Sequence, residues 1–150
     1  MNQEKLMKRR MIRALILAGI TFIALLVFIA LYIDETRRVQ ETYRRQYHTC
    51  LTKVTEDIDS YLNNDGDLDF RYTRIVSDMS CADSFAFLID GPDEHKRVVT
   101  EVLTCIMKFP EQMRQKLPEL KAAIEDMLAE YDKGYDEAAK IVASIDKKGH

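Results

Sequence analysis

The chain has no tryptophan, and it is sparing with the residues that break helices: five glycines and three prolines among 150 residues. So few glycines leave no Gly-rich loop to cradle a phosphate, which excludes the usual nucleotide-binding fingerprints. Three cysteines occur without a C-x-x-C pair, so the common signature of a thiolate metal site is missing. No stretch alternates apolar and polar residues with a period of two, and no βαβ alternation or fixed internal repeat occurs. Strands therefore have no support in the pattern. Histidine is scarce as well: His48, His95 and His150 fall into no Ser/His/Asp or Cys/His grouping, and no pair of carboxylates stands out as acid and base. These absences argue against an enzyme, and nothing in the chain calls for a cofactor or a metal.

The most consequential absence is of charge. From Ala14 to Ile33 the chain reads ALILAGITFIALLVFIALYI, with Thr21 the one polar interruption. A helix needs about 20 apolar residues to cross a hydrocarbon core about 30 Å thick. The run is expected to be a transmembrane helix, with Ala14, Leu17, Phe22, Leu26, Phe28 and Ile33 marking its course. A cleaved signal peptide has a shorter apolar core, about 7–15 residues, ending in small residues. Here the run closes on Ala30-Leu31-Tyr32-Ile33-Asp34-Glu35, so an uncleaved signal anchor is the better description.

Charge divides across this run. Residues 1–33 carry Lys5, Lys8, Arg9, Arg10 and Arg13 against Glu4, a net of +4, which leaves −7 on the remainder of a chain whose total is −3. Basic residues collect on the cytoplasmic side of a span. Arg37, Arg38, Arg44 and Arg45 follow the run but lie farther out, behind Asp34 and Glu35. The expected layout is a basic cytoplasmic stub at 1–13, a single pass through the cell membrane at 14–33, and an acidic extracytoplasmic domain at 34–150. The four later arginines suit either a solvated helix face or anionic headgroups. An acidic domain lacks the basic footprint that nucleic-acid binding needs.

Beyond the run, apolar residues recur at steps of three and four. Val39, Tyr43, Tyr47, Cys50, Val54, Ile58 and Tyr61 continue the first helix, with no Gly or Pro between it and the apolar run. The segment Asn63-Asn64-Asp65-Gly66-Asp67-Leu68-Asp69 favours a turn. Placing Gly66 sixth in a helix–loop–helix calcium site puts Tyr61 first and Tyr72 twelfth, where carboxylates are required, so a plain acidic turn is preferred. A second helix is expected from about Tyr72 to Ile89, burying Ile75, Met79, Ala82, Ala86 and Ile89, with Val76, Phe85 and Leu88 widening the stripe. Asp90-Gly91-Pro92 then separates it from a third, from about Pro92 to Lys108, burying Val98, Val99, Val102, Leu103, Ile106 and Met107.

A fourth helix is expected from Pro110 to about Asp146, with Pro118 as a restart or kink. Leu120, Ile124, Met127, Tyr131, Tyr135, Ala138, Val142 and Ile145 keep the rhythm of a coiled-coil seam through it, and Gly134 does not disturb the pattern. Lys147 and Lys148 suit its C-terminus. The fold class is all-α: one N-terminal transmembrane helix continuing into an antiparallel four-helix bundle, or three helices and a kinked fourth.

Cys50 and Cys81 lie nearly equidistant from the turn at Gly66, and Cys81 and Cys105 roughly so from Gly91, which places all three near one layer. Three readings stay open for them: buried free thiols, one disulfide with a spare thiol, or a thiolate site completed by His48. The tyrosines Tyr43, Tyr47, Tyr61, Tyr131 and Tyr135 on the seams suit core packing, or a ligand slot between helices. Stripes without catalytic groupings point to a bacterial membrane protein whose bundle binds a protein partner or a copy of itself beside the lipid bilayer. An extracytoplasmic bundle that senses a small molecule is the alternative.

Overall fold

The structure, a computed structural model, describes residues 2–64, 66–130 and 132–147, with side chains from residue 7 onward. Among these residues there are five helices and no strand: α1 Asn2–Leu62, α2 Leu68–Leu88, α3 Asp93–Lys108, α4 Pro110–Ala129 and α5 Tyr135–Ser144. The all-helical expectation is borne out. Two compact units divide at Val39 and Gln40. The first is the leading part of α1, whose apolar side chains from Met7 to Ile33 are largely exposed within the chain. It holds one helix long and apolar enough to cross a membrane.

The second unit, from Gln40 onward, is the bundle, and its contacts set the direction of each helix. Opposite α1, α2 runs back along it: Gln40 meets Leu88 and Asp90, Cys50 meets Cys81, Asp57 meets Arg74, and the Tyr61 and Tyr72 rings lie 6.1 Å apart. Helix α3 reverses again, with Thr100 donating to Asp83 at 2.6 Å and Tyr72 donating to the Ile106 carbonyl at 2.9 Å. Helices α4 and α5 form an antiparallel pair, since Gly134 lies against Ala123 and Met127 while Gln112 binds Asp146. Val54, Ile58, Ile75, Ile106, Met113, Leu117, Leu120 and Ala138 fill the core with almost no exposed surface.

Local chemistry explains the boundaries. The Asn63–Asp67 turn uses left-handed backbone at Asn64 (φ 55°) and Gly66 (φ 81°). Helix α2 starts four residues ahead of the expected Tyr72, because Asp67 caps it: its Oδ1 accepts from the N–H groups of Asp69 (2.9 Å) and Phe70 (3.2 Å). The expected stripe of Ile75, Met79, Ala82, Ala86 and Ile89 is buried, but Leu88, expected to widen it, is exposed. On α3, Met107 is also exposed and Leu103 only partly buried, because the seam passes through Cys105 and Ile106 instead.

The fourth helix differs most from expectation. It does not run to Asp146: it ends at Ala129, and the chain folds back through Gly134 into α5. Pro118 is not a restart; it sits inside α4 on an exposed face, where the carbonyl that loses its donor can be hydrated. Leu120, Ile124 and Met127 are buried from α4, and Tyr135, Ala138, Val142 and Ile145 from α5 and its cap. Tyr131 of the expected seam lies outside the described residues, as do Asp65, Lys148, Gly149 and His150.

Candidate functional site

In the first unit, Ala14, Leu17, Phe22, Leu26, Phe28 and Ile33 all lie on α1 with exposed side chains, as do Lys8, Arg9, Arg10 and Arg13. The Lys5 side chain is outside the described residues. Thr21, the one polar residue of the run, returns its hydroxyl to the Leu17 carbonyl at 2.9 Å, so it adds no unsatisfied donor to an apolar surface.

In the bundle, the three cysteines separate. Cys50 and Cys81 are joined by a disulfide with Cα atoms 6.0 Å apart, while Cys105 is free and buried. Burial pushes the Cys105 thiol up, against the pull of Lys147. It lines a cleft of about 310 Å³ between α3 and α5, with Glu101, Thr104, Lys108 and Val142. His48 is exposed on a different face of α1 from Cys50. Among the described residues, no three His, Cys, Asp or Glu side chains come together to hold a metal.

A ring cluster lies where α1, α3 and α5 meet. The Tyr47 and Tyr135 hydroxyls are 3.1 Å apart, and the His95 ring stacks on Tyr135 at 3.9 Å with the planes 3° from parallel. Tyr43 lies 6.4 Å from Phe85. Of the seam tyrosines, Tyr47 and Tyr135 are buried and pair their hydroxyls inside the bundle, while Tyr43 and Tyr61 pack half-buried against its core.

Asp57 is a buried carboxylate that sequence reasoning passed over. It is 3% exposed, ion-pairs with Arg74 Nε at 3.2 Å and shares a hydrogen bond with Asp78. Burial and the Asp78 bond push its pKa up, outweighing the neighbouring Arg74 and Arg71. A signal was present: Asp57 stands three residues after Val54 and four before Tyr61, on the stripe that packs both against the core. Two further carboxylates near the α1–α2 turn are also engaged, Asp69 with Arg114 at 2.7 Å and Asp59 with Lys121 at 2.6 Å.

What the bundle leaves outside is apolar at both ends. Leu62, Phe70 (58% exposed) and Met107 (62%) share one end, which the Tyr72–Ile106 hydrogen bond and the α1–α2 turn bring together. Phe87 (60%) and Leu88 (47%) stand at the other, beside Gln40. Comparison with protein-family models, curated proteins and solved structures gives no match.

Proposed function

We propose that this chain is a single-span, membrane-anchored helical bundle that works without catalysis, docking a protein partner or a second copy of itself outside the cytoplasm. The observation that carries the reading is that Leu62, Phe70 and Met107, at one end of the bundle, keep their apolar side chains exposed. Exposed apolar side chains at one end of a bundle are of the kind an interface core uses. The length and composition of Ala14–Ile33 support the anchor. Lys5, Lys8, Arg9, Arg10 and Arg13 support an N-terminus in the cytoplasm, and the Cys50–Cys81 disulfide suits an oxidising compartment for the bundle.

The test uses the full chain in a bilayer with a photoreactive phenylalanine analogue in place of Phe70. Irradiation is expected to give an adduct of discrete mass with one partner polypeptide or a second copy. The same group in place of Glu56, on the solvent face of α1, should give none. No adduct from position 70, or equal labelling from both positions, removes the reading. The Cys105 cleft favours a second reading, a sensor bundle, because about 310 Å³ reaches the lower bound of ligand pockets. A metabolite that raises the unfolding temperature of the wild type but not of Thr104→Leu would support it.

A further inference from the structure

We infer that Phe87 and Leu88 form an apolar lip that enters the headgroup–acyl boundary of the same bilayer that holds the Ala14–Ile33 run. This rests on the anchored reading above. Three observations within the bundle and the chain carry it. Phe87 and Leu88 end α2 with their side chains exposed. The Gln40 side chain holds the backbone around them to α1: its Nε2 donates to the Leu88 carbonyl at 3.2 Å, and its Oε1 accepts from Asp90 N–H at 2.9 Å. Gln40 is the seventh residue after Ile33, so covalent reach keeps it within about 25 Å of the end of the run. Leu62 lies about 33 Å farther along α1. Of the two exposed apolar ends, the Phe87–Leu88 end has the shorter covalent path to the run.

Lipid is the occupant the tether favours, because it fixes a high local concentration of bilayer surface at the lip, as a short linker does for a second binding site. Phe and Leu are side chains that interfacial helices bury at the headgroup boundary. The neighbouring charges select the surface. Asp93 and Glu94 pair with Lys96 (3.6 Å) and Arg97 (3.8 Å), and Asp90 stands beside the lip, while Arg37, Arg38, Arg44 and Arg45 lie on α1 on either side of Gln40. Mixed charge of this kind suits a zwitterionic phospholipid and makes an anionic one unnecessary.

Because the chain has no tryptophan, single-tryptophan variants report position without background. Full-length Phe28→Trp, Phe70→Trp and Phe87→Trp are reconstituted in phosphatidylcholine vesicles carrying lipids brominated either near the headgroup or near the acyl terminus. Leu88→Trp serves as a second reporter for the lip. The expected result is loss of Phe87→Trp emission to the shallow bromines, loss of Phe28→Trp emission chiefly to the deep ones, and no loss for Phe70→Trp. If Phe28→Trp is quenched while neither lip reporter is quenched more than Phe70→Trp, the lip is wrong and the anchor stands. If Phe28→Trp is not quenched, the anchor itself fails and the lip with it. A lip emission shift that follows protein density instead of bromine assigns these residues to a protein contact and likewise overturns the inference.

Discussion

The last carbonyls of a helix have no partner along the helix and must find one elsewhere. At the end of α3 the Cys105 oxygen accepts from Phe109 N–H at 2.9 Å, and the Ile106 oxygen accepts from the Tyr72 hydroxyl at 2.9 Å. Burial pushes the Tyr72 phenol up to about 12, against the Arg114 guanidinium 4.9 Å from its ring centre, so it remains a donor across the neutral range. Tyr72→Phe keeps the ring and deletes the donor, and the expected loss is about 1–3 kcal/mol in urea unfolding, the cost of stranding a buried acceptor. Asp57 raises the opposite question, since the fold favours its protonated form. An unperturbed aspartate loses its proton near 3.8, and folded Asp57 holds it to higher pH. Its stabilising contribution is therefore full below that value and is lost as pH rises through the raised folded pKa, with a slope of at most about 1.4 kcal/mol per pH unit. Asp57→Asn is expected to flatten that part of the stability curve. Urea midpoints from acid to neutral pH check it, and an unchanged slope would contradict the assignment.

Between α4 and α5 one glycine decides the topology. Gly134 has φ +83°, and a Cβ there would run into the Ala123 carbonyl oxygen and lie 3.0 Å from the Met127 nitrogen. Gly134→Ala is expected to cost more than about 1 kcal/mol. The loss should be local: amide exchange should speed up across Tyr135–Ser144 while α2 keeps its protection. This turn is also where sequence and structure part. The spacing of Ile75, Met79, Ala82, Ala86 and Ile89 is a property of one helix and could be read directly, and so could the turns around Gly66 and Gly91. Leu120, Ile124, Met127, Tyr135, Ala138, Val142 and Ile145 keep helical spacing whether the chain runs straight or doubles back, because both halves bury the same kind of stripe. Only the left-handed backbone at Gly134 separates the two cases, and that requirement comes from contact with α4, which no local pattern encodes. Met107 and Leu88 were misplaced for a related reason: an apolar residue at the margin of a stripe is buried only if a neighbouring helix reaches it. The exposed ends thus came from packing, while the apolar run needed nothing beyond composition.

For the molecule as a whole, the disulfide ties stability to compartment. Cys50 and Cys81 are 31 residues apart in sequence, and closing a loop of that length restricts the unfolded chain by about 3–4 kcal/mol on the chain-entropy account. Reduction is expected to lower the denaturant midpoint of the bundle accordingly while the core around Ile58, Ile75 and Leu120 still holds. The same bond reports sidedness, since it persists where the surroundings are oxidising and is lost where thiols are kept reduced. Cells lysed under denaturing conditions with an alkylating reagent, and without reductant, should give a protein carrying one label, on Cys105, which is buried in the fold but reachable once unfolded. Three labels would place the bundle on the reducing side and reverse the orientation drawn from Lys5, Lys8, Arg9, Arg10 and Arg13. Counting after denaturation matters, because in the native protein burial alone would hide Cys105 and a silent thiol would carry no topological meaning. One label without reductant and three with it is the pair of results that the anchored, outward-facing bundle requires.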